Sequence, residues 1–172
     1  IICGVIGVVT VEKKLIMMSG GIAHTAYGGV GLGFLLGFEP MICASAFSVA
    51  SAIIIGTIRR KSTTNSDVII SLLWSLGMAC GIAFTGLMAG YPPDMNSYLF
   101  GNILSVTKKD LNIIFILTLV IVITFFALFN DWKAYLFDPQ FSKVLGIKTA
   151  FFEYTLLILS AISIVVLIKA VG

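Results

Sequence analysis

The side chain in this sequence that is best suited to transition-metal chemistry is that of its single histidine, His24. It lies in an apolar, glycine-rich stretch, and no acidic or basic residue occurs between Lys14 and Glu39. An ionisable residue inside a membrane span indicates a functional site by default. Neutral imidazole suits zinc, manganese or iron(II). His24 is therefore either a metal ligand or a residue that donates a hydrogen bond across a helix interface.

A second group of residues predicts a short capped helix at 138–146. Asp138 has the side chain of an N-cap, Pro139 suits the first helical position, and Gly146 suits the stop. The apolar residues of this helix share one face: Phe141, Val144 and Leu145. An amphipathic helix of this kind in a cytoplasmic loop can lie on the membrane or dock into the groove of a partner.

The composition defines the environment in which these residues act. Hydrophobic residues make up 59% of the chain and charged residues 11%, against roughly 25% charged in ordinary globular domains. The mean hydropathy is +1.09. The sequence therefore predicts an integral membrane protein. In lipid, only helices and closed β-barrels pair all backbone N–H and C=O groups. The alternating pattern of a barrel strand is absent, so the sequence predicts a multi-pass helical bundle.

Apolar runs of suitable length predict five crossings, at 15–37, 41–58, 68–90, 111–130 and 150–170. Residues 1–11 are interpreted as the tail of a longer first helix, which gives about six spans in one transmembrane domain, 1–172, cut at both ends. Basic residues occupy alternate connectors, so those connectors should face the cytoplasm. The segment 97–106 is too short to cross and is expected to re-enter the membrane or lie at its outer face.

The glycines of the first complete span favour helix packing over nucleotide binding. Gly29, Gly33 and Gly37 recur at every fourth position and form a smooth stripe that another helix can approach closely. The Gly-rich run lacks the preceding strand and the acidic residue of a dinucleotide site, and no phosphate-binding loop occurs in the sequence. The chain should therefore not hydrolyse ATP itself. Its net charge of +3 is explained by cytoplasmic anchoring and does not indicate nucleic acid.

Three blocks of sequence together resemble the permease subunits of bacterial zinc, manganese and iron ABC importers. They are residues 13–37, residues 137–147, and the segment Tyr98-Leu99-Phe100-Gly101-Asn102-Ile103-Leu104 followed by Val106. The resemblance implies a permease in the cytoplasmic membrane of a prokaryote, paired with a second permease copy. It also implies transport of a divalent metal delivered by an extracytoplasmic metal-binding protein, with energy from a separate ATP-binding subunit and no stably bound cofactor.

The resemblance also assigns roles to particular positions. His24 falls at the family's intramembrane histidine, whereas Gly20 stands where many members carry an aspartate. The connector at about 131–148 matches the segment that couples the permease to the ATPase, with Asp138, Pro139, Phe141 and Gly146 in its short helix. We further expect Asn102 and the re-entrant segment to line the outer gate, because irregular backbone at membrane depth must be buried in protein or face a cavity.

Two other functions fit the sequence less well. A permease of the same general type could import a metal chelate or a vitamin, and His24 would then be structural. A membrane-embedded enzyme would need a cluster of catalytic groups or metal ligands, and the predicted spans contain no such cluster.

Overall fold

The computed structural model describes residues 1–61, 66–88, 101 and 106–171. Every regular element in these ranges is a helix: α1 (Ile2–Glu12), α2 (Ile16–Leu36), α3 (Pro40–Lys61), α4 (Ser66–Gly86), α5 (Lys108–Ala127), α6 (Phe129–Phe137), α7 (Pro139–Val144) and α8 (Thr149–Val171). The predicted all-α fold is therefore confirmed. The six segments interpreted as spans or part of a span correspond to α1 to α5 and α8.

Among the described residues, four helices are both long and apolar enough to cross a membrane: Pro40–Lys61, Asp67–Gly86, Lys108–Ala127 and Thr149–Ala170. The predicted number of about six also counted α1 and α2. With 21 residues α2 is as long as the four, but its glycines and His24 lower its mean hydropathy. With 11 residues α1 is too short to cross alone.

Helix α2 is central to the bundle and packs chiefly against α3 and α4. Its contact with α3 requires glycine. A Cβ atom at Gly29 would lie 2.6 Å from the Cα of Ala44, and one at Gly33 would lie 2.8 Å from the Cα of Pro40. The backbones of the two helices therefore touch at these positions, in the way that small residues permit between helices in a membrane.

Gly37 has a different environment from the other two glycines of the predicted stripe. It adopts a left-handed conformation with φ of +71° and ends α2. The N–H of Phe38 then donates to the carbonyl of Gly33 at 2.9 Å, as in a common helix stop. A Cβ at Gly37 would meet no atom within 4 Å. The structure thus gives this residue a terminating role, and the packing role predicted for it has no counterpart in these contacts.

Ion pairs join the helices at the two ends of α8. Glu153, in its first turns, pairs with Arg60 at 3.1 Å and with Arg59 at 3.7 Å, so the basic end of α3 meets the start of α8. Lys169, near the end of α8, pairs with Asp110 at 2.7 Å. The start of α5 and the end of α8 therefore lie at the end of the bundle opposite to Arg59 and Arg60, as the predicted order of the spans requires.

Helix α6 packs on the bundle through two buried aromatic residues, Trp132 and Tyr135. Trp132 is only 1% exposed, and its indole N–H donates to the carbonyl of Thr124 at 3.2 Å. Its ring stacks on Phe125 at 4.5 Å and meets Phe152 edge-on at 5.0 Å, measured between ring centroids. Because α6 leads directly into α7, these contacts fix the place from which α7 extends.

Candidate functional site

His24 lies in the interior of α2 and faces α4. Its imidazole stacks on the indole of Trp74, with 4.2 Å between ring centroids and 14° between the ring planes. The Nδ1 atom of His24 is buried, and no hydrogen-bond partner for it occurs in the described part of the chain. Buried polar atoms are nearly always paired. An imidazole nitrogen can accept a hydrogen bond or bind a metal when it carries no proton, and it donates a hydrogen bond when it does.

The indole of Trp74 also covers Gly20, one helical turn before His24. A Cβ atom built at Gly20 would lie 3.1 Å from Cζ3 of Trp74, which is closer than an ordinary van der Waals contact. The resemblance leads one to expect an aspartate at position 20. The space that its side chain would need is filled by the ring of Trp74 from the neighbouring helix. Any side chain larger than that of glycine at position 20 requires Trp74 to move.

The environment of His24 limits what it can do chemically. Across residues 1–61, 66–88, 101 and 106–171 no group of three or more His, Cys, Asp or Glu residues could hold a metal ion. One imidazole cannot retain a metal alone. His24 therefore belongs to no potential metal-ligand group of three or more in this part of the chain.

The short helix at the other predicted site forms with the predicted caps. A carboxylate oxygen of Asp138 accepts hydrogen bonds from the backbone N–H groups of Gln140 and Phe141, each at 2.9 Å. Pro139 occupies the first position of α7. The turn closes at Gly146, which has a left-handed φ of +78°. The boundaries predicted from the sequence are thus confirmed.

The apolar face of α7 has no cover among the described residues. The exposed fractions of the large apolar side chains on and beside this helix are 77% for Phe137, 56% for Phe141, 83% for Val144 and 58% for Leu145. Ser142 points the opposite way. It is fully buried and its hydroxyl donates to the carbonyl of Asp138 at 2.8 Å. A helix with apolar residues outward and a polar residue inward presents a docking surface.

The predicted site residues thus form two separate features. His24 lies inside the bundle on α2, whereas Asp138, Pro139, Phe141 and Gly146 lie in the connector between α6 and α8. Asn102, the expected gate residue, lies outside the described residues. Sequence reasoning missed Trp74, because a tryptophan in an apolar span carries no local signal of the residue on another helix that it will contact.

Comparison with known proteins relates this chain to membrane transporters. The sequence pattern described as the ABC 3 transport family matches residues 1–172. The chain is 35% identical over 175 residues to a probable metal transport system membrane protein of Chlamydia muridarum, covering 98% of this chain and 60% of that protein. It is 27% identical over 172 residues to the manganese transport system membrane protein MntC of Listeria monocytogenes, covering 100% of this chain and 61% of that protein.

The fold also matches that of a solved transporter. The structure of PsaBC from Streptococcus pneumoniae in complex with Fab superimposes with a TM-score of 0.81 and 31% sequence identity, covering 100% of this chain and 62% of that one. The chain therefore spans about 60% of the length of the relatives that it matches. The chain has the helices of a multi-pass membrane protein of the ABC permease type, as the sequence predicts.

Proposed function

The chain belongs to the ABC 3 transport family, and on that premise we propose that it forms the permease subunit of an ATP-driven importer for a divalent transition metal: zinc, manganese or iron. The observation that carries this proposal is the buried Nδ1 of His24 in the central helix, for which the described residues supply no hydrogen-bond partner. The names of the relatives, a probable metal transport system protein and a manganese transport system protein, support it independently.

In this proposal the energy comes from a separate ATP-binding subunit. Helix α7 would dock its exposed apolar face into that subunit, in the manner of an amphipathic helix in a groove. Closure and opening of the ATPase pair would then push on α7 and rock the membrane helices. A central path beside His24 would open alternately to the two sides of the cytoplasmic membrane.

The other partners follow from the same scheme. An extracytoplasmic metal-binding protein would deliver the ion at the outer face, and a second permease copy would complete the path. The metal would pass as cargo and would not stay bound, because the described residues contain no group of three or more potential metal ligands and a single imidazole would hold an ion only briefly.

A second candidate is an importer of a metal chelate or a vitamin, with His24 serving only in packing. The observation that favours it is the lack of a metal-ligand cluster in the described residues, since a chelated ion arrives with its ligands already in place. The stacking of His24 on Trp74 is compatible with this function, because it fixes the imidazole whether or not a metal contacts it.

Uptake measurements separate these two candidates. Cells that express the full-length permease with its ATPase and binding protein are supplied with zinc, manganese or iron(II), each either free or in a stable chelate. We expect ATP-dependent uptake of a free ion that excess chelator suppresses. Uptake of the chelated form alone would contradict the proposal and support the chelate importer. A matched strain whose ATPase cannot hydrolyse ATP provides the background.

A further inference from the structure

Lys13, in the turn between α1 and α2, makes a long-range polar contact with the end of α6. Its ammonium group donates to the backbone carbonyls of Tyr135 at 2.7 Å and Leu136 at 3.3 Å. These carbonyls belong to the last turn of α6, where the helix supplies no further N–H partners. A cation is favoured at this end of a helix because the carbonyl dipoles point toward it.

The same ammonium group contacts the side chain of Tyr135. It lies 4.0 Å from the centroid of the tyrosine ring, within the range of a cation–π interaction. The ring is 6% exposed. Burial lowers the pKa of Lys13, and the carboxylates of Glu12 and Glu153 act in the opposite direction. Lys13 is thus held by two carbonyls and one ring, all from the last turn of α6.

The two segments that meet in this contact lead directly to the two candidate sites, α7 and the helix that carries His24. On one side, α6 ends at Phe137 and the N-cap of α7, Asp138, follows at once. On the other side, Lys14 takes a left-handed φ of +55° and α2, which carries His24, begins at Ile16.

The turn that carries Lys13 is itself firmly held. The N–H of Lys14 donates to Val11 and that of Leu15 donates to Thr10, at 3.0 and 2.8 Å. The side chain of Leu15 is only 3% exposed. The backbone that follows Lys13 is therefore held by hydrogen bonds to the end of α1 and by the burial of Leu15.

We infer that Lys13 is a positioning residue that transmits movement of the α6–α7 connector to the start of α2. This inference rests on the proposed function, in which α7 receives the push of the ATPase. The ion pairs of Glu153 with Arg59 and Arg60 line the same cavity as Lys13, but they join α3 to α8 and include no residue of α2.

The test compares Lys13→Met with Lys14→Met in the complete transporter, reconstituted in lipid vesicles with its ATPase and binding protein. Met keeps the length of the lysine stem without its charge. The neighbouring Lys14 is exposed, so its variant is a matched control. We expect Lys13→Met to retain the ATPase and to hydrolyse ATP, but to transport roughly tenfold less metal per ATP. Lys13→Arg, which can still donate to the carbonyls, should restore most of the coupling.

A second measurement does not depend on the cargo. Hydrogen–deuterium exchange is followed with and without ATP at residues 135–146 and at residues 13–20. In the wild type we expect ATP to change the rate of amide exchange in both segments. In Lys13→Met we expect a change at residues 135–146 only. Lys13→Gln, which remains polar, serves as a second variant if Lys13→Met assembles poorly. An undiminished change at 13–20 in the Lys13 variant, or none in the wild type, would overturn the inference even if no metal is transported.

Discussion

Helix α2 and the α6–α7 connector are held in place by opposite means. Backbone contacts hold α2, where Gly29 and Gly33 bring it against α3 with no room for a Cβ. In the connector, aromatic packing fixes α6 on the bundle, and side-chain hydrogen bonds of Lys13 and Asp138 hold the junction of α6 with α7. The first kind of contact depends on size and tolerates almost no addition. The second depends on particular polar groups and tolerates a substitute that can make the same hydrogen bond. Substitutions in α2 should therefore mainly lower the stability of the fold. Substitutions in the connector should mainly weaken the binding of a partner.

The largest effect is expected at Gly29. Valine there would push a Cβ into the Cα of Ala44 and the carbonyl oxygen of Cys43, each 2.6 Å away, and backbone atoms cannot give way. We expect a loss of stability of about 3 kcal/mol or more, measured as a lower melting temperature and yield of the detergent-solubilised permease. In Gly4→Ala, where a Cβ meets no atom within 4 Å, the melting temperature should change little. Equal melting temperatures for the two variants would contradict the claim that α2 has no room for a Cβ at Gly29.

The next effect is expected on the exposed face of α7. Phe141→Ala removes an aromatic side chain that is 56% exposed and therefore contributes little to the fold. If this face binds the ATPase, the affinity should fall by about 2 kcal/mol, or roughly 30-fold, while the melting temperature of the permease stays constant. Affinity is measured by titrating the purified ATPase. Phe151→Ala, at another exposed phenylalanine on α8, is the control, and equal losses of affinity would argue against a specific interface.

A smaller effect is expected at Gly146, where φ is +78°. A β-branched residue in the left-handed region costs about 1–2 kcal/mol, so Gly146→Val should misplace the end of α7 and weaken ATPase capture about tenfold. Membrane insertion should not change. Gly146→Asn is the matched control, because asparagine tolerates this conformation. Normal pull-down of the ATPase by the valine variant would show that the helix stop is dispensable.

The smallest effect is expected at the N-cap. Asp138→Ala removes the acceptor for the N–H groups of Gln140 and Phe141 and should cost about 1 kcal/mol of helix stability. A decrease in ATPase affinity of up to about fivefold follows, read by the same titration. Asp138→Asn keeps an acceptor and should bind normally. If asparagine is as harmful as alanine, the charge of Asp138 matters more than its capping bonds.

The sequence predicted what depends on local pattern. The helical bundle follows from apolar runs of spanning length, and the caps of α7 follow from Asp138, Pro139 and Gly146, which sit within a few residues of the groups they satisfy. The packing of Gly29 and Gly33 follows from their spacing. The role of Gly37 was predicted wrongly from the same spacing. The helix ends at this residue, and glycine is needed there for its positive φ and not for packing.

What the sequence did not predict depends on contacts between distant segments. The ring of Trp74 reaches His24 and Gly20 from another helix, and Lys13 reaches Tyr135 across more than a hundred residues. In a single sequence, a tryptophan in a span and a lysine after a helix indicate only membrane environment and orientation. The interhelical geometry that gives them specific partners emerges only from the folded bundle.

The central claim is that His24 contacts the transported metal, and uptake by a His24→Ala variant tests it most directly. Cells expressing the full-length permease with its ATPase and binding protein are compared for zinc, manganese and iron, with Ser19→Ala, an exposed position on the same helix, as the control. We predict a loss of roughly tenfold or more for one of the three metals, with the control unaffected. Unchanged uptake of all three metals would make His24 a packing residue and contradict the claim.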